Sequence, residues 1–223
     1  MKHYSISIFT AIVFTFLHSA SAAQVTDKDG HSYKTVNIAS KTWMAENLAV
    51  GRFNSGVAIP QAKTAEEWEA AYNNAKPIWC YVNFDPATEK TYGRLYNFHA
   101  VKDARKLAPA GWHVATDEEW KNLLDVLGED ATTKLKNTQG WDKSEFGKNG
   151  TNETGFSAMP AGAIMSWGKF VSTGHYANFW SGTAFEGRSS GWAYNFDSGN
   201  TVPIYRDGYA SAGNGLSVRC VKD

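Results

Sequence analysis

The stretch LAPAGWHVATDEEW, residues 107–120, combines a turn, a short apolar strand and the start of a helix. Thr116 and Glu119 have the spacing of a capping box, in which each side chain accepts a hydrogen bond from the other residue's backbone amide. Apolar residues then recur at helical spacing until a glycine, namely Trp120, Leu123, Leu124, Leu127 and Gly128. The stretch therefore predicts a strand that leads into an amphipathic helix ending before Gly128.

The same stretch places His113 close in sequence to Glu118 and Glu119. A histidine paired with a carboxylate can act as a general base or bind a metal ion. Glu119 is already needed by the capping box, however, and a single histidine in an apolar strand is more often a packed scaffold residue. We therefore interpret residues 107–120 as a structural corner and not as a catalytic centre.

The rest of the chain supplies short strands and a second helix. Residues 25–48 alternate β-rich pieces with turns, which predicts a β-meander, and residues 63–76 repeat the capping box with Thr64 and Glu67, which predicts a short helix. After Gly128, short strand-like pieces alternate with glycine, asparagine and serine turns. We expect an α+β fold with two short helices packed on twisted antiparallel sheets with long loops, as a single domain over residues 24–223.

The N-terminus and the overall charge indicate an exported protein. Residues 1–23 contain Lys2, an apolar run and small residues ending in an A-x-A pattern, as in a secretory signal peptide. The run is shorter than the roughly 20 residues that a membrane span needs. The 22 basic and 22 acidic residues give no indication of a nucleic acid or an anionic membrane as partner. We expect a secreted or cell-surface protein without a membrane span.

Cys80 and Cys220 are the two cysteines of the chain. An even number of cysteines in an exported protein favours a disulfide between them. Such a long closed loop stabilises the fold by roughly 5 kcal/mol at most in the chain-entropy model. Two buried thiols are the alternative, because the sequence does not show how far apart the two residues lie.

Seven pieces of the sequence, taken in order, carry a family resemblance. They are DKDGHSYKTVNI, KTWMAENL, YGRLYNFHAV, PAGWHVATDEEW, GTNETGFSAMPAG, FWSGTAF and GLSVRCVKD. On these residues the chain resembles the Fibrobacter succinogenes major paralogous domain, a family of exported bacterial modules. That family is similar to the C-type lectin-like fold and to the formylglycine-generating enzyme group, so the resemblance implies a C-type lectin-like fold. Members usually carry cysteine in place of Ala108 and proline in place of Ala115, and for this reason the resemblance does not imply the 80–220 disulfide.

The residue patterns of common catalytic and metal sites do not occur. The histidines after residue 23 are scattered singly, and no cysteine pair has zinc spacing. Ser157 and Ser181 lack the nucleophile elbow of serine hydrolases. The turn-like segment 194–200 and the GTNETGF segment could supply oxygen ligands to calcium through Asn195, Asp197 and Asn200 or through Asn152 and Glu153, but we interpret both as solvated turns.

We expect no enzyme activity, no cofactor and no metal. The alternatives are an enzyme of the sulfatase-modifying-factor type and a glycan hydrolase with an unrecognised site.

Aromatic and polar residues alternate on the late strands and loops, a pattern that suits sugar rings or protein surfaces. The candidate ligand-binding residues are Trp192, Tyr194, Asn195, Asp197, Tyr205, Arg206, Asp207 and Tyr209. We expect Trp180 in the core and the loop 197–215 on the exposed, ligand-facing surface. The sequence thus predicts a non-catalytic binding or surface-display module. Its partner is a glycan or a cell-surface protein, a purely structural module is the third possibility, and the oligomeric state stays open.

Overall fold

The computed structural model describes residues 24–143, 150–199, 205–208 and 210–223. The predicted signal peptide at residues 1–23 lies outside the described residues, as do Asn200 and Tyr209. Tyr205 is described in its backbone only.

The described residues contain five α-helices. They are α1 (Ala65–Asn73), α2 (Glu89–Tyr92), α3 (Phe98–Val101), α4 (Asp117–Leu127) and α5 (Ala131–Leu135). The two helices predicted from capping boxes, α1 and α4, are confirmed, and in both the threonine side chain accepts the expected backbone bond. The other three were not predicted, because four or five residues are too few to show an amphipathic repeat.

Fourteen strands form three sheets in the part of the chain that the structure describes. They are β1 (Val25–Thr26), β2 (Ser32–Tyr33), β3 (Thr35–Ile38), β4 (Lys41–Met44), β5 (Trp79–Cys80), β6 (Leu95–Asn97), β7 (Trp112–Val114), β8 (Ala163–Ile164), β9 (Phe170–Val171), β10 (Tyr176–Ala184), β11 (Gly191–Asp197), β12 (Tyr205–Asp207), β13 (Gly215–Val218) and β14 (Cys220–Lys222).

The predicted α+β class is confirmed. The largest sheet has the order β12-β11-β10-β13-β6-β5, with β8 and β9 attached at β13, and a four-stranded sheet has the order β3-β4-β14-β7. These strands pair antiparallel except for β10 with β13, which run parallel. The predicted meander over residues 25–48 is instead two hairpins, because β1 and β2 form a separate small sheet while β3 and β4 join β14.

The corner at residues 107–120 connects this second sheet to α4. Strand β7 pairs with β14, so that His113 lies opposite Val221, and the chain then enters α4 at the Thr116 cap. Trp120 is fully buried, with its ring 5.1 Å from that of Trp43 and stacked at 5.1 Å on the ring of Tyr194. The corner therefore joins the two large sheets around an aromatic core, as expected of a scaffold element.

Both cysteines are free, buried thiols, which corrects the predicted disulfide in favour of the alternative. Cys80 lies on β5 in one hydrophobic cluster, and Cys220 lies on β14 in another. The two strands belong to different sheets, so the side chains are not opposed across a strand pair. Burial raises the pKa of both thiols above the ordinary value.

Candidate functional site

The predicted ligand-binding residues are divided between the two faces of one sheet. Strands β10 and β11 pair with Asn178 opposite Asn195 and Phe179 opposite Tyr194. Because successive side chains of a strand point to opposite faces, Trp192 and Tyr194 share one face, whereas Asn195 and Asp197 lie on the other. The set therefore does not form a single surface.

Tyr194 is a core residue and not a ligand-binding one, which corrects the prediction. Its side chain is 1% exposed and stacks on Trp120. The Tyr194 hydroxyl donates to Asp117 Oδ1 over 2.8 Å. Trp180 is fully buried, as expected, whereas Trp192 is partly exposed.

Arg206 is engaged in an ion pair within the protein. Its Nε lies 2.5 Å from Asp117 Oδ1 and its Nη2 lies 2.7 Å from Asp117 Oδ2, while the guanidinium covers the Trp192 ring at 3.1 Å from the centroid. Burial by itself raises the pKa of Asp117, but the hydrogen bonds from Arg206 and Lys121 outweigh it and lower this pKa to about 2. The bidentate geometry and the aromatic contact make Arg206 a structural link between β12 and α4.

The other face of the sheet forms one wall of a cavity of about 370 Å³, which we call the amide cavity. Three of the predicted ligand-binding residues line it, namely Asn195, Asp197 and Asp207. The sheet also contributes Tyr176 and Asn178. The remaining walls come from the β8–β9 hairpin, from the segment that precedes β13, which adds Asn214, and from Leu216 of β13.

Three side-chain amides of this cavity have unused hydrogen-bonding capacity. Asn178 donates to the Gly162 carbonyl over 2.9 Å, and Asn214 Oδ1 accepts from the Ser166 amide over 3.1 Å. The side chain of Asn195 makes no hydrogen bond to any other residue that the structure describes. Directly opposed residues of an antiparallel pair have Cβ atoms about 5 Å apart, so Asn178 and Asn195 form adjacent polar groups.

The polar side chains that line the amide cavity are acidic or neutral. Two carboxylates line it, and none of the described lining residues is basic. A wall of carboxylates and amide oxygens suits ligands that donate hydrogen bonds, such as hydroxyl groups. No group of three histidine, cysteine, aspartate or glutamate residues within the described ranges is placed to bind a metal ion.

The segment 197–215, which was expected to be an exposed loop, is buried or half-buried wherever the structure describes its side chains. Asp197 belongs to β11 and is buried, and residues 205–207 form β12. Ala210 and Ala212 are buried as well. The turn expected at residues 194–200 is likewise a strand as far as Asp197. Residues 200–204 and Tyr209 lie outside the described residues.

The family model of the Fibrobacter succinogenes major domain matches residues 36–222, most of the chain. The chain belongs to the Fibrobacter succinogenes major domain family. The match covers both large sheets, the corner at residues 107–120 and the amide cavity.

Two further comparisons bear on this member of the Fibrobacter succinogenes major domain family. Neither the search of curated proteins nor the search of solved structures returned a match. None of the helices in the described ranges is long and apolar enough to span a bilayer.

Sequence reasoning missed the contribution of Tyr176, Asn178 and Asn214 to the cavity. The first two are visible as an alternation in β10, where Tyr176 and Asn178 alternate with the buried residues Ala177 and Phe179. This pattern places polar groups on one face of a strand that is otherwise apolar. Asn214 carries no comparable signal, because its place beside the sheet depends on the path of the chain into β13.

Proposed function

We propose that this family member is an exported, non-catalytic binding module that recognises a neutral glycan through the amide cavity. The observation that carries the proposal is the half-buried amide of Asn195, which makes no hydrogen bond to another described residue and lies opposite Asn178 in a cavity without basic residues among its described lining. Amides and carboxylates bind sugar hydroxyls by directional hydrogen bonds. The volume of about 370 Å³ is near the lower end of the 300–1,000 Å³ typical of small-molecule sites.

An exposed tryptophan in the β8–β9 hairpin, which lines the cavity, supports a glycan as the ligand. Trp167 is 55% exposed and lies in the turn of the β8–β9 hairpin. Met165, two residues earlier, lines the cavity, and two residues of chain span at most about 7 Å. An exposed indole face packs against the apolar face of a sugar ring. The arrangement suits an oligosaccharide with one unit in the cavity and the next on Trp167.

The spacing of the two carboxylates favours binding over hydrolysis. Asp207 pairs with Ala193, which lies four residues before Asp197 on β11, a separation of about 13 Å along the strand. The paired carboxyl groups of glycoside hydrolases lie about 5 to 10 Å apart. The separation of about 13 Å is between backbone positions, so the two carboxyl groups reach this range only if both side chains lean toward each other, and Asp197 and Asp207 fit two ends of a binding cavity better than a catalytic pair. The C-type lectin-like fold that the sequence resemblance implies agrees with a binding role.

The proposal is tested by retention on insoluble polysaccharides together with a glycan array. Asn195→Ala should abolish retention without changing the melting temperature. Asn73→Ala, at an exposed position on α1, is the matched control and should be retained like the wild type. Equal retention of both variants would place the glycan elsewhere. Failure of the wild type to bind any glycan would overturn the glycan proposal and favour a protein partner.

A further inference from the structure

A second and larger cavity lies between elements that are far apart in sequence. This cavity has a volume of about 680 Å³ and shares no described lining residue with the amide cavity. Its walls are β2 with its flanking residues His31 and Lys34, the segment after β4, helix α2 and the segment 155–159. Arg219, between β13 and β14, also lines it, and we call it the arginine groove.

Arg219 is fully buried and its hydrogen-bond acceptors are all neutral. Its Nε donates to Asn47 Oδ1 over 2.7 Å, and its Nη1 donates to the carbonyls of Met44 at 2.9 Å and Phe156 at 2.6 Å. Its Nη2 donates to the carbonyl of Ser157 over 3.1 Å. The described residues thus orient the guanidinium with neutral acceptors, but none of them forms a salt bridge with it.

Among the described residues, no carboxylate contacts the Arg219 guanidinium, although the nearby Glu46 carboxylate offsets part of its positive charge. Burial lowers the pKa of Arg219 below its ordinary value, but arginine remains charged at neutral pH. An unpaired buried charge is unfavourable, and a nearby anion relieves part of that cost. Because Arg219 lies under the surface, it acts on a ligand through its electric field and not by direct contact.

The described rim of the arginine groove adds two more cations. Lys34 and Lys90 are both exposed and line the groove. Of the carboxylates among the lining residues, Glu89 is paired with Arg94 at 2.7 Å, and Glu46 accepts from the Lys34 backbone amide at 2.9 Å. Together with Arg219, the described lining has three cations against two carboxylates, and one of these carboxylates, Glu89, is paired with Arg94 outside the groove.

Ser157, in one wall of the groove, has a positive φ angle and is held by hydrogen bonds to Asn152. Asn152 and Ser157 have positive φ angles of 51° and 56°. The two residues are linked by hydrogen bonds from Asn152 Nδ2 to Ser157 Oγ at 2.9 Å and from the Ser157 amide to Asn152 Oδ1 at 2.8 Å. These hydrogen bonds fix the position of Ser157 in the wall of the groove.

We propose that the arginine groove binds an acidic saccharide, with a uronate carboxylate drawn over Arg219 and held by Lys34 and Lys90. The groove also presents neutral polar groups for sugar hydroxyls, namely Ser32, Thr91, Asn137 and Ser157. Its volume is larger than that of the amide cavity, so it can hold a larger ligand. The amide cavity has no basic residue among its described lining, so it offers a uronate carboxylate no charged partner.

The test compares an oligogalacturonate with its methyl-esterified form by isothermal titration calorimetry on the mature protein. The two probes share their shape and differ in charge, so the free acid should bind at least tenfold more tightly. Lys34→Gln/Lys90→Gln should weaken binding of the acid at least tenfold, while Lys63→Gln, an exposed lysine outside the groove, should not. Melting temperatures of all variants should match the wild type, since the altered lysines are exposed.

The opposite results would overturn the proposal. These are equal binding of acid and ester, undiminished binding by Lys34→Gln/Lys90→Gln, or no binding of the acid at millimolar concentration. Asn195→Ala should bind the oligogalacturonate normally. If Asn195→Ala loses binding of the acid, the acid binds in the amide cavity and this proposal is wrong. If Asn195→Ala loses only the retention of neutral glycans, that result bears on the proposed function and not on the arginine groove.

Discussion

His113 Nε2 lies 2.9 Å from Glu119 Oε2, across the corner that joins β7 to α4. The other ring nitrogen of His113, Nδ1, lies 2.7 Å from Asp223 Oδ1 at the end of the chain. Glu119 also accepts from the Thr116 backbone amide, as the capping box requires. The histidine that suggested catalysis therefore connects a helix cap to the residue after β14, and its role in the described structure is to hold that corner together.

This arrangement predicts a pH dependence of stability. Burial by itself lowers the pKa of His113, but the hydrogen bonds to Asp223 and Glu119 outweigh it and raise this pKa above its ordinary value. A raised folded-state pKa stabilises the protein most below the unfolded pKa, about 6.5, and the contribution disappears as the pH rises through the folded value. The free energy of unfolding of the wild type should therefore exceed that of His113→Gln by more at pH 5.5 than at pH 8.5. A difference that is constant across this range would contradict the pairing.

The cap and the aromatic core of α4 should differ in their contribution to stability. Thr116→Ala should lower the free energy of unfolding by about 1 kcal/mol, as the loss of an N-cap usually does. Trp120→Ala should cost about 3 to 5 kcal/mol, because it leaves a large cavity among buried aromatic rings. Chemical denaturation of both variants measures these losses. A smaller loss at Trp120 than at Thr116 would mean that the packing of α4 is misassigned.

Arg206→Ala should destabilise the fold and not only a ligand site. The substitution leaves the Asp117 carboxylate without its bidentate partner, and the loss of a charge-assisted pair in a partly buried position costs about 2 kcal/mol. In a protein that already carries Asp117→Ala, the destabilisation caused by Arg206→Ala should be smaller, because the partner of Arg206 is then absent. A double-mutant cycle by chemical denaturation measures this coupling, and purely additive losses would show that the ion pair contributes nothing.

The two cysteines should behave as buried thiols. Ellman's reagent should detect two thiols in the unreduced, denatured protein and essentially none in the native protein, because both side chains are buried. A reducing agent should leave the melting temperature unchanged. Absence of thiols in the unreduced, denatured protein would contradict the structure and support the disulfide.

Trp167→Ala should weaken glycan retention without changing the melting temperature. The indole is exposed, so its removal opens no cavity in the core. The predicted loss is larger for an oligosaccharide than for a monosaccharide, since only the longer ligand reaches from the amide cavity to the hairpin turn. Val126→Ala, an exposed apolar position on α4, is the control. Equal retention by Trp167→Ala and the control would remove Trp167 from the binding surface.

The sequence by itself determined the features that depend on neighbouring residues. Capping boxes at Thr64 and Thr116 act within one helical turn, so both longer helices could be predicted from spacing alone. The α+β class followed from helix and strand patterns along the chain. The ordered motifs of residues 26–223 likewise indicated the family that the comparison with family models confirms over residues 36–222.

Only the tertiary structure decided which of the candidate residues meet. Strand pairing places Asn178 beside Asn195, and the packing of α4 brings Asp117 to Arg206, which is 89 positions further along the chain. A one-residue change of register would exchange the faces of Tyr194 and Asn195. The register depends on which side chains fill the core around Trp120. The division between core and cavity residues therefore results from contacts between distant parts of the chain, which cannot be predicted from residue types and spacing.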